Sequence, residues 1–187
     1  MIELLLQDHR EVERLFVELE TGVGSPEHRR DLADAVTAEL IRHAVTEEEY
    51  LYPTARRALP DGDQVAEHEI AEHAEAEQTL KDWEGISADD PRFDVLYRKV
   101  TSEIRHHIQD EESNLFPRLR AACSEEELAD LGRRMEIAKL VAPTRPHPNA
   151  PDRPPWNKIL APGTGFVDRV RDALSHRKTS SEALRGK

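Results

Sequence analysis

Apolar residues recur at helical spacing along most of the chain. Ile2, Leu5, Leu6, Val12, Phe16 and Leu19 trace one stripe from about residue 2 to 20, and Thr21-Gly22-Val23-Gly24 breaks it. Ser25 then offers a cap, Pro26 suits a first helical position and Glu27 complements the helix dipole. A second helix is expected through Leu32, Val36 and Leu40 toward Tyr50, with at most a kinked continuation past Pro53. Asp61-Gly62-Asp63 reads as a turn and cap before a third helix carrying Ala66, Ile70, His73, Leu80 and Trp83 and ending near Gly85. Asp90-Pro91 starts a fourth, with Phe93, Leu96, Val100, Ile104 and Leu115 in phase and Pro117 in its last turns. Ser124-Glu125-Glu126-Glu127 is a capping-box start for a fifth helix ending near Leu140.

Beyond that the pattern changes. Prolines at 143, 146, 148, 151, 154, 155 and 162 predict an extended strap, followed by a short amphipathic helix at 165–174 with Phe166, Val170 and Leu174 on one face and a frayed polar end. The expected fold is all-α: an up-and-down antiparallel four-helix bundle with an extra helix over residues 1–140, then a Pro-rich strap and a short terminal helix over 141–187.

Composition narrows the function classes. Charged residues make up 34% of the 187 and aromatics 5%, as in exposed amphipathic helices. A net charge of -12 disfavours nonspecific attraction to nucleic acid or an anionic membrane. Cys123 stands alone, so no intrachain disulfide forms, and no apolar run is long enough for a membrane span or signal-peptide core; a cytoplasmic location is expected.

The chemistry lies in an internal repeat. His43-x-x-x-Glu47-Glu48-x-Tyr50-Leu51-Tyr52-Pro53 and His107-x-x-x-Glu111-Glu112-x-Asn114-Leu115-Phe116-Pro117 share the pattern H-x-x-x-E-E-x-x-L-aromatic-P. His107 follows His43 by 64 residues (107 − 43), and His73 follows His9 by the same interval (73 − 9). Two related helical hairpins are implied, each bringing one His from its first helix and a His and a Glu from its second to the inside of a bundle.

His43 and Glu47, like His107 and Glu111, are four apart on an otherwise apolar face, and His9 lies between Leu5 or Leu6 and Val12. Buried carboxylates and imidazoles persist only when paired or bound to metal. A self-contained polar layer is the competing reading, but four His and two Glu have too few complementary donors and acceptors to satisfy one another. Two histidines and a carboxylate per half suit non-haem iron ahead of manganese or zinc, and two facing halves make a two-metal site. Tyr50, three residues after Glu47, is a further candidate ligand; Tyr52 is expected to pack beside Pro53, and Glu48 and Glu112 to be exposed. Glu13 and Glu77, one turn beyond His9 and His73, either orient those rings or are simply boundary residues. His68 falls on a solvated face, and His106 lacks the four-residue spacing to Glu111.

His9, His43-x-x-x-Glu47, His73 and His107-x-x-x-Glu111 resemble the haemerythrin-like HHE cation-binding domain, especially its actinobacterial and mycobacterial members, over about residues 1–140. The resemblance implies two Fe ions with an oxo or hydroxo bridge. Classical oxygen carriers have H-x-x-x-H on the third helix and an aspartate on the fourth; here Glu69 stands four before His73, and Glu111 replaces the aspartate. Similarity to the mycobacterial group implies chemistry on nitric oxide or peroxide, with Tyr50 near iron, and O2, NO and H2O2 as the small-molecule partners. Turnover of a peroxidase, catalase or NO-scavenging type and non-catalytic iron or oxygen sensing both stay open. The terminal helix offers an oligomerisation element, and a passive zinc staple is the remaining structural reading.

Overall fold

A computed structural model describes residues 1–147 and 156–184, with backbone only for 156–163. The elements are α1 (Ile2–Glu20), α2 (Pro26–Thr46), α3 (Tyr52–Ala58), α4 (Gly62–Trp83), α5 (Pro91–Asp110), α6 (Phe116–Ala122), α7 (Glu125–Lys139), α8 (Trp156–Ser175) and α9 (Ser181–Leu184). α2 runs into α3, and α5 into α6, through single π-helical turns at Glu47–Leu51 and Glu111–Leu115. The fold is a helical bundle of two hairpins: α1 with α2–α3, and α4 with α5–α6.

The expected starts form where capping chemistry stands. The Ser25 hydroxyl accepts from the His28 N–H at 3.2 Å, the Asp90 carboxylate from the Arg92 N–H at 2.9 Å, and the Ser124 hydroxyl from the Glu127 N–H at 3.2 Å. Asp61 differs, because its carboxylate pairs with Arg118 of α6 and makes no cap bond. Gly62 follows it because α3 comes so close that a Cβ there would lie 2.0 Å from the Ala55 carbonyl oxygen.

The two prolines explain the π turns. Pro53 has no N–H to return to a carbonyl four residues back, and its ring would crowd that carbonyl. The chain gains a residue instead: the Tyr52 N–H donates to the Glu47 carbonyl, five residues back, and α3 restarts with Pro53 in its first turn, where a missing N–H costs little. Phe116, Glu111 and Pro117 repeat the arrangement.

The core is two apolar clusters. One holds Val12, Phe16, Val36, Leu80, Trp83, Phe93 and Val100; the other holds Ile2, Leu5, Leu51, Ile70, Leu115, Phe116 and Met135 of α7. Each long helix passes from one cluster to the other, and the histidines stand at the crossing: His9 between Leu5 and Val12, His43 between Ile41 and Leu51, His73 between Ile70 and Ala76, and His107 between Ile104 and Leu115. A polar layer therefore cuts the core in two.

The carboxy-terminal part departs from expectation. α8 reaches back to Trp156 with Pro162 inside it, since a proline costs a helix about 3 kcal/mol rather than forbidding it. Phe166, Val170 and Leu174 are exposed, whereas Asp168 and Asp172 face inward. The tail also docks: Ser181 is buried, Leu184 packs on the first cluster, and the Thr179 carbonyl accepts from Arg42 of α2 at 2.6 Å. The expected strap residues 148–155 lie outside the described residues. Among the described residues, no helix is long and apolar enough to cross a membrane.

Candidate metal centre

His9, His43, Glu47, His73, His107 and Glu111 are all buried and meet in the layer between the clusters. Each helix of the bundle supplies part of the set. The Nε2 atoms of His9 and His43 are 3.3 Å apart, and so are those of His73 and His107, giving one imidazole pair per hairpin. Glu47 spans them, with Oε1 3.0 Å from His43 Nε2 and Oε2 3.4 Å from His73 Nε2. Glu111 does the same from the other side, its Oε2 lying 3.4 Å from His9 Nε2 and 3.8 Å from His107 Nε2.

Each imidazole is held from behind by a carboxylate. His9 Nδ1 meets Glu112 at 2.8 Å, His73 Nδ1 meets Glu48 at 3.2 Å, His43 Nδ1 meets Asp8 at 3.4 Å, and His107 Nδ1 meets Glu72 at 3.2 Å. These contacts turn all four Nε2 atoms toward the centre and set the tautomer that leaves Nε2 free to ligate. The four carboxylates obey the same 64-residue interval, Asp8 with Glu72 and Glu48 with Glu112. The sequence did not single them out, and offered Glu13 and Glu77 as ring partners or simply boundary residues. Glu13 instead pairs with Arg105 at 2.6 Å, and Glu77 accepts from the His147 N–H at 2.6 Å. Glu48, expected on the surface, is nearly buried at 12% exposure, because the π turn rotates it toward His73.

The same turn places the two tyrosines differently. Tyr50 lies half-buried against the second cluster, with Arg134 of α7 in its electrostatic surroundings. Tyr52 is fully buried, and its hydroxyl is 2.9 Å from His73 Nε2 and 3.4 Å from Glu111 Oε1. Its counterpart Phe116 stacks on His9 with ring centroids 5.7 Å apart. Glu69 is the other unanticipated neighbour: Oε2 lies 3.0 Å from His107 Nδ1 but outside hydrogen-bonding geometry, the ring bonding to Glu72 instead. His68 and His106 are exposed and lie 3.5 and 3.8 Å from Glu72 Oε1, on the outer side of the carboxylate behind His107.

The electrostatics are those of a cation site. Both oxygens of Glu47 and Oε2 of Glu111 are buried without a hydrogen bond, a costly state for a carboxylate. Burial alone would push the His43 imidazolium toward neutrality, but the ionised Glu47 and the Asp8 carboxylate more than offset it and take its pKa to about 10. His107 is held well above the usual imidazole range against burial by Glu111, Glu69 and Glu72. Burial opposes ionisation of Glu47, yet His43 and His73 hold its pKa well below the usual range; burial and the Glu47 charge together push Glu111 up. Left to itself the layer keeps its carboxylates by holding protons on imidazoles, and a metal cation can take those protons' place.

The donors fall into two overlapping groups whose atoms lie within 4.8 Å of one another: His9, His43, Glu47 and Glu111, and Glu47, His73 and His107. A third grouping of Glu69, His107 and Glu111 extends the second side. Imidazole nitrogen and carboxylate oxygen in this proportion fit a divalent or trivalent transition-metal ion.

Comparison with known proteins agrees with the geometry. The chain is 30% identical over 137 residues to an uncharacterized hemerythrin-like protein of Schizosaccharomyces pombe, covering 73% of this chain and 68% of that one. It is 28% identical over 137 residues to a DNA nickase of Nostoc sp., covering 73% of this chain but only 38% of that protein. No solved structure matches. The Hemerythrin HHE cation binding domain matches residues 1–119, spanning all six layer residues, and the chain belongs to that family.

Proposed function

We propose that the layer holds two iron ions and that the protein binds or reacts with O2, NO or peroxide there. The supporting observation is the sharing of Glu47 and Glu111 between two imidazole pairs, since carboxylates facing both sides suit two ions a few ångströms apart. His9 and His43 would hold one ion, and His73 and His107 the other. Bound iron would supply reversible electron transfer and open positions for a small ligand.

The chain's own residues do the rest. Glu112, Asp8, Glu48 and Glu72 keep the rings aimed inward. The Tyr52 phenol stands 2.9 Å from His73 Nε2; burial raises its pKa well above the ordinary range, so it would hold its proton and could donate it to a small molecule bound on that side. Half of the residues lining the cavity beside the imidazoles are apolar, among them Val12, Ile41, Ala76 and Ile104, and half are polar or charged, so uncharged diatomic molecules can enter beside the ligand set.

The test is metal content with an optical spectrum on protein made in iron-sufficient medium, followed by stopped-flow mixing with peroxide, O2 and NO. About two irons per chain and a spectral response to at least one ligand are expected. Zinc alone, or bound iron indifferent to all three, would refute the reading.

A further inference from the structure

Part of the wall of the metal cavity comes from outside the bundle. The cavity measures about 110 Å³ and touches all four ligand histidines, and Pro143, Arg145 and His147 line it together with Thr164 of α8. None of these four belongs to the segment matched by the family.

Residues 143–147 are seated by hydrogen bonds and by shape. Asp168 of α8 is fully buried; its Oδ2 accepts from the Thr144 and Arg145 N–H groups at 3.1 Å each, and it pairs with the His147 ring at 3.0 Å. Arg145 joins Glu84 and Asp172 at 2.7 Å each, and the His147 N–H donates to Glu77 of α4 at 2.6 Å. Gly165 lets α8 lie directly on this chain: a Cβ there would stand 2.1 Å from the Val141 carbonyl oxygen and 2.9 Å from that of Ala142.

A helix that turns Phe166, Val170 and Leu174 to solvent and buries two acids is held by specific partners rather than by general adhesion. Buried carboxylates are tolerable only when their hydrogen bonds are made, so the segment has one favoured seat. That seat sets one wall of the cavity. An apolar cavity of ~150 Å³ holds benzene, whereas this one is smaller and suits molecules of a few heavy atoms.

We propose that residues 143–147, seated by Asp168 and Gly165, are the size filter of the metal cavity, with Arg145 and His147 as specificity-determining residues that admit di- and triatomic ligands and exclude ring-sized ones. The inference rests on the metal reading above, though not on iron or on redox chemistry.

Cobalt(II)-loaded full-length protein tests it, because its visible spectrum reports ligand entry without electron transfer. Azide and 4-phenylimidazole are titrated into the parent protein, Gly165→Val and Asp168→Asn, with hydrogen exchange at 143–147 followed in parallel. The parent should bind azide and ignore 4-phenylimidazole to ~100-fold higher concentration. Both variants should exchange faster at 143–147 and accept the ring, with azide affinity changed less than about threefold. A parent that takes the ring as readily as azide overturns the proposal, as does a loosened segment that still excludes it. One variant acts by shape and the other by hydrogen bonding, and the parent's own selectivity decides the matter should either fail to fold. Size selection in the cobalt protein alongside inert iron protein would sink the proposed function and leave the filter standing; no cobalt uptake would overturn the filter, while the iron reading stands or falls by its own metal analysis.

Discussion

Tyr52 and Phe116 occupy equivalent positions in the two hairpins, yet Tyr52 sets a hydroxyl 2.9 Å from His73 Nε2 while Phe116 lays a bare ring 5.7 Å from the His9 ring. The pseudo-twofold site is thus chemically one-sided, and Glu69 near His107, with Leu5 as its repeat partner, adds to the same side. Phenolate-to-metal absorption in the iron(III) protein is therefore expected to come from Tyr52. Tyr52→Phe should abolish the band and Tyr50→Phe should preserve it; a band lost with Tyr50 instead would reverse the assignment. Stability should fall by about 1–2 kcal/mol in Tyr52→Phe as the hydroxyl's hydrogen bonds disappear.

Glu47 faces both imidazole pairs, whereas each histidine serves one. His43→Ala and His107→Ala should each retain about one metal per chain, and Glu47→Ala should lower occupancy on both sides. His68→Ala, an exposed change, should be silent. Metal analysis after desalting distinguishes the cases, and equal loss in His68→Ala would contradict the ligand set.

The carboxylates behind the rings should matter in proportion to their burial. Glu48 is 12% exposed and Glu112 40%, so Glu48→Gln should weaken metal binding more than Glu112→Gln. Orienting partners of this kind are worth roughly 10–100-fold in metal affinity. Competition against a chelator of known affinity reads the order directly, and a larger loss in Glu112→Gln would show that exposure does not govern it.

The seat of residues 143–147 should depend on pH. Asp168 raises the pKa of His147 above the ordinary 6.5 despite burial, so this stabilisation is complete below about 6.5 and is lost as pH rises through the raised value. Burial pushes Asp168 up, but His147 and the two backbone N–H groups bring it below the ordinary 3.8, so its share is present above about 4 and is lost as pH falls through the lowered value. Asp168 from α8 and Glu77 and Lys81 from α4 are the charged groups acting on His147. Amide exchange at 144–147, corrected for intrinsic rates, should be slowest near about pH 5–6 and rise toward alkaline pH. His147→Gln should flatten that alkaline limb, and an unchanged limb would exclude His147 as its source.

Metal should also stabilise the fold. At a free metal concentration ~100-fold above Kd, linkage adds about 2.7 kcal/mol, which for a chain of this size is a Tm rise of roughly 5–10 °C. Differential scanning calorimetry with and without metal checks it; equal Tm values would mean that the layer binds no cation in the folded state.

The helices, their caps at Ser25, Asp90 and Ser124, and the hairpin repeat were legible in the chain because they follow from local periodicity and short-range hydrogen bonding. The inward position of His9, His43, Glu47, His73, His107 and Glu111 was legible too, since residues four apart share a helix face and the repeat enforces the phase. Asp8, Glu48, Glu72 and Glu112 obeyed the same 64-residue interval and were readable in principle, but acidic residues are so common here that the interval had to be tied to ring geometry before it meant anything. Tyr52 was decided by a π turn, a backbone choice that depends on Pro53 and on packing across the bundle and so reverses what regular helical spacing says about Tyr50. The place of α8 was likewise a tertiary decision. Its apolar stripe pointed outward once Asp168 and Asp172 found N–H, guanidinium, imidazole and hydroxyl partners on residues 144–147, and sequence alone cannot say which distant donors will satisfy a buried carboxylate.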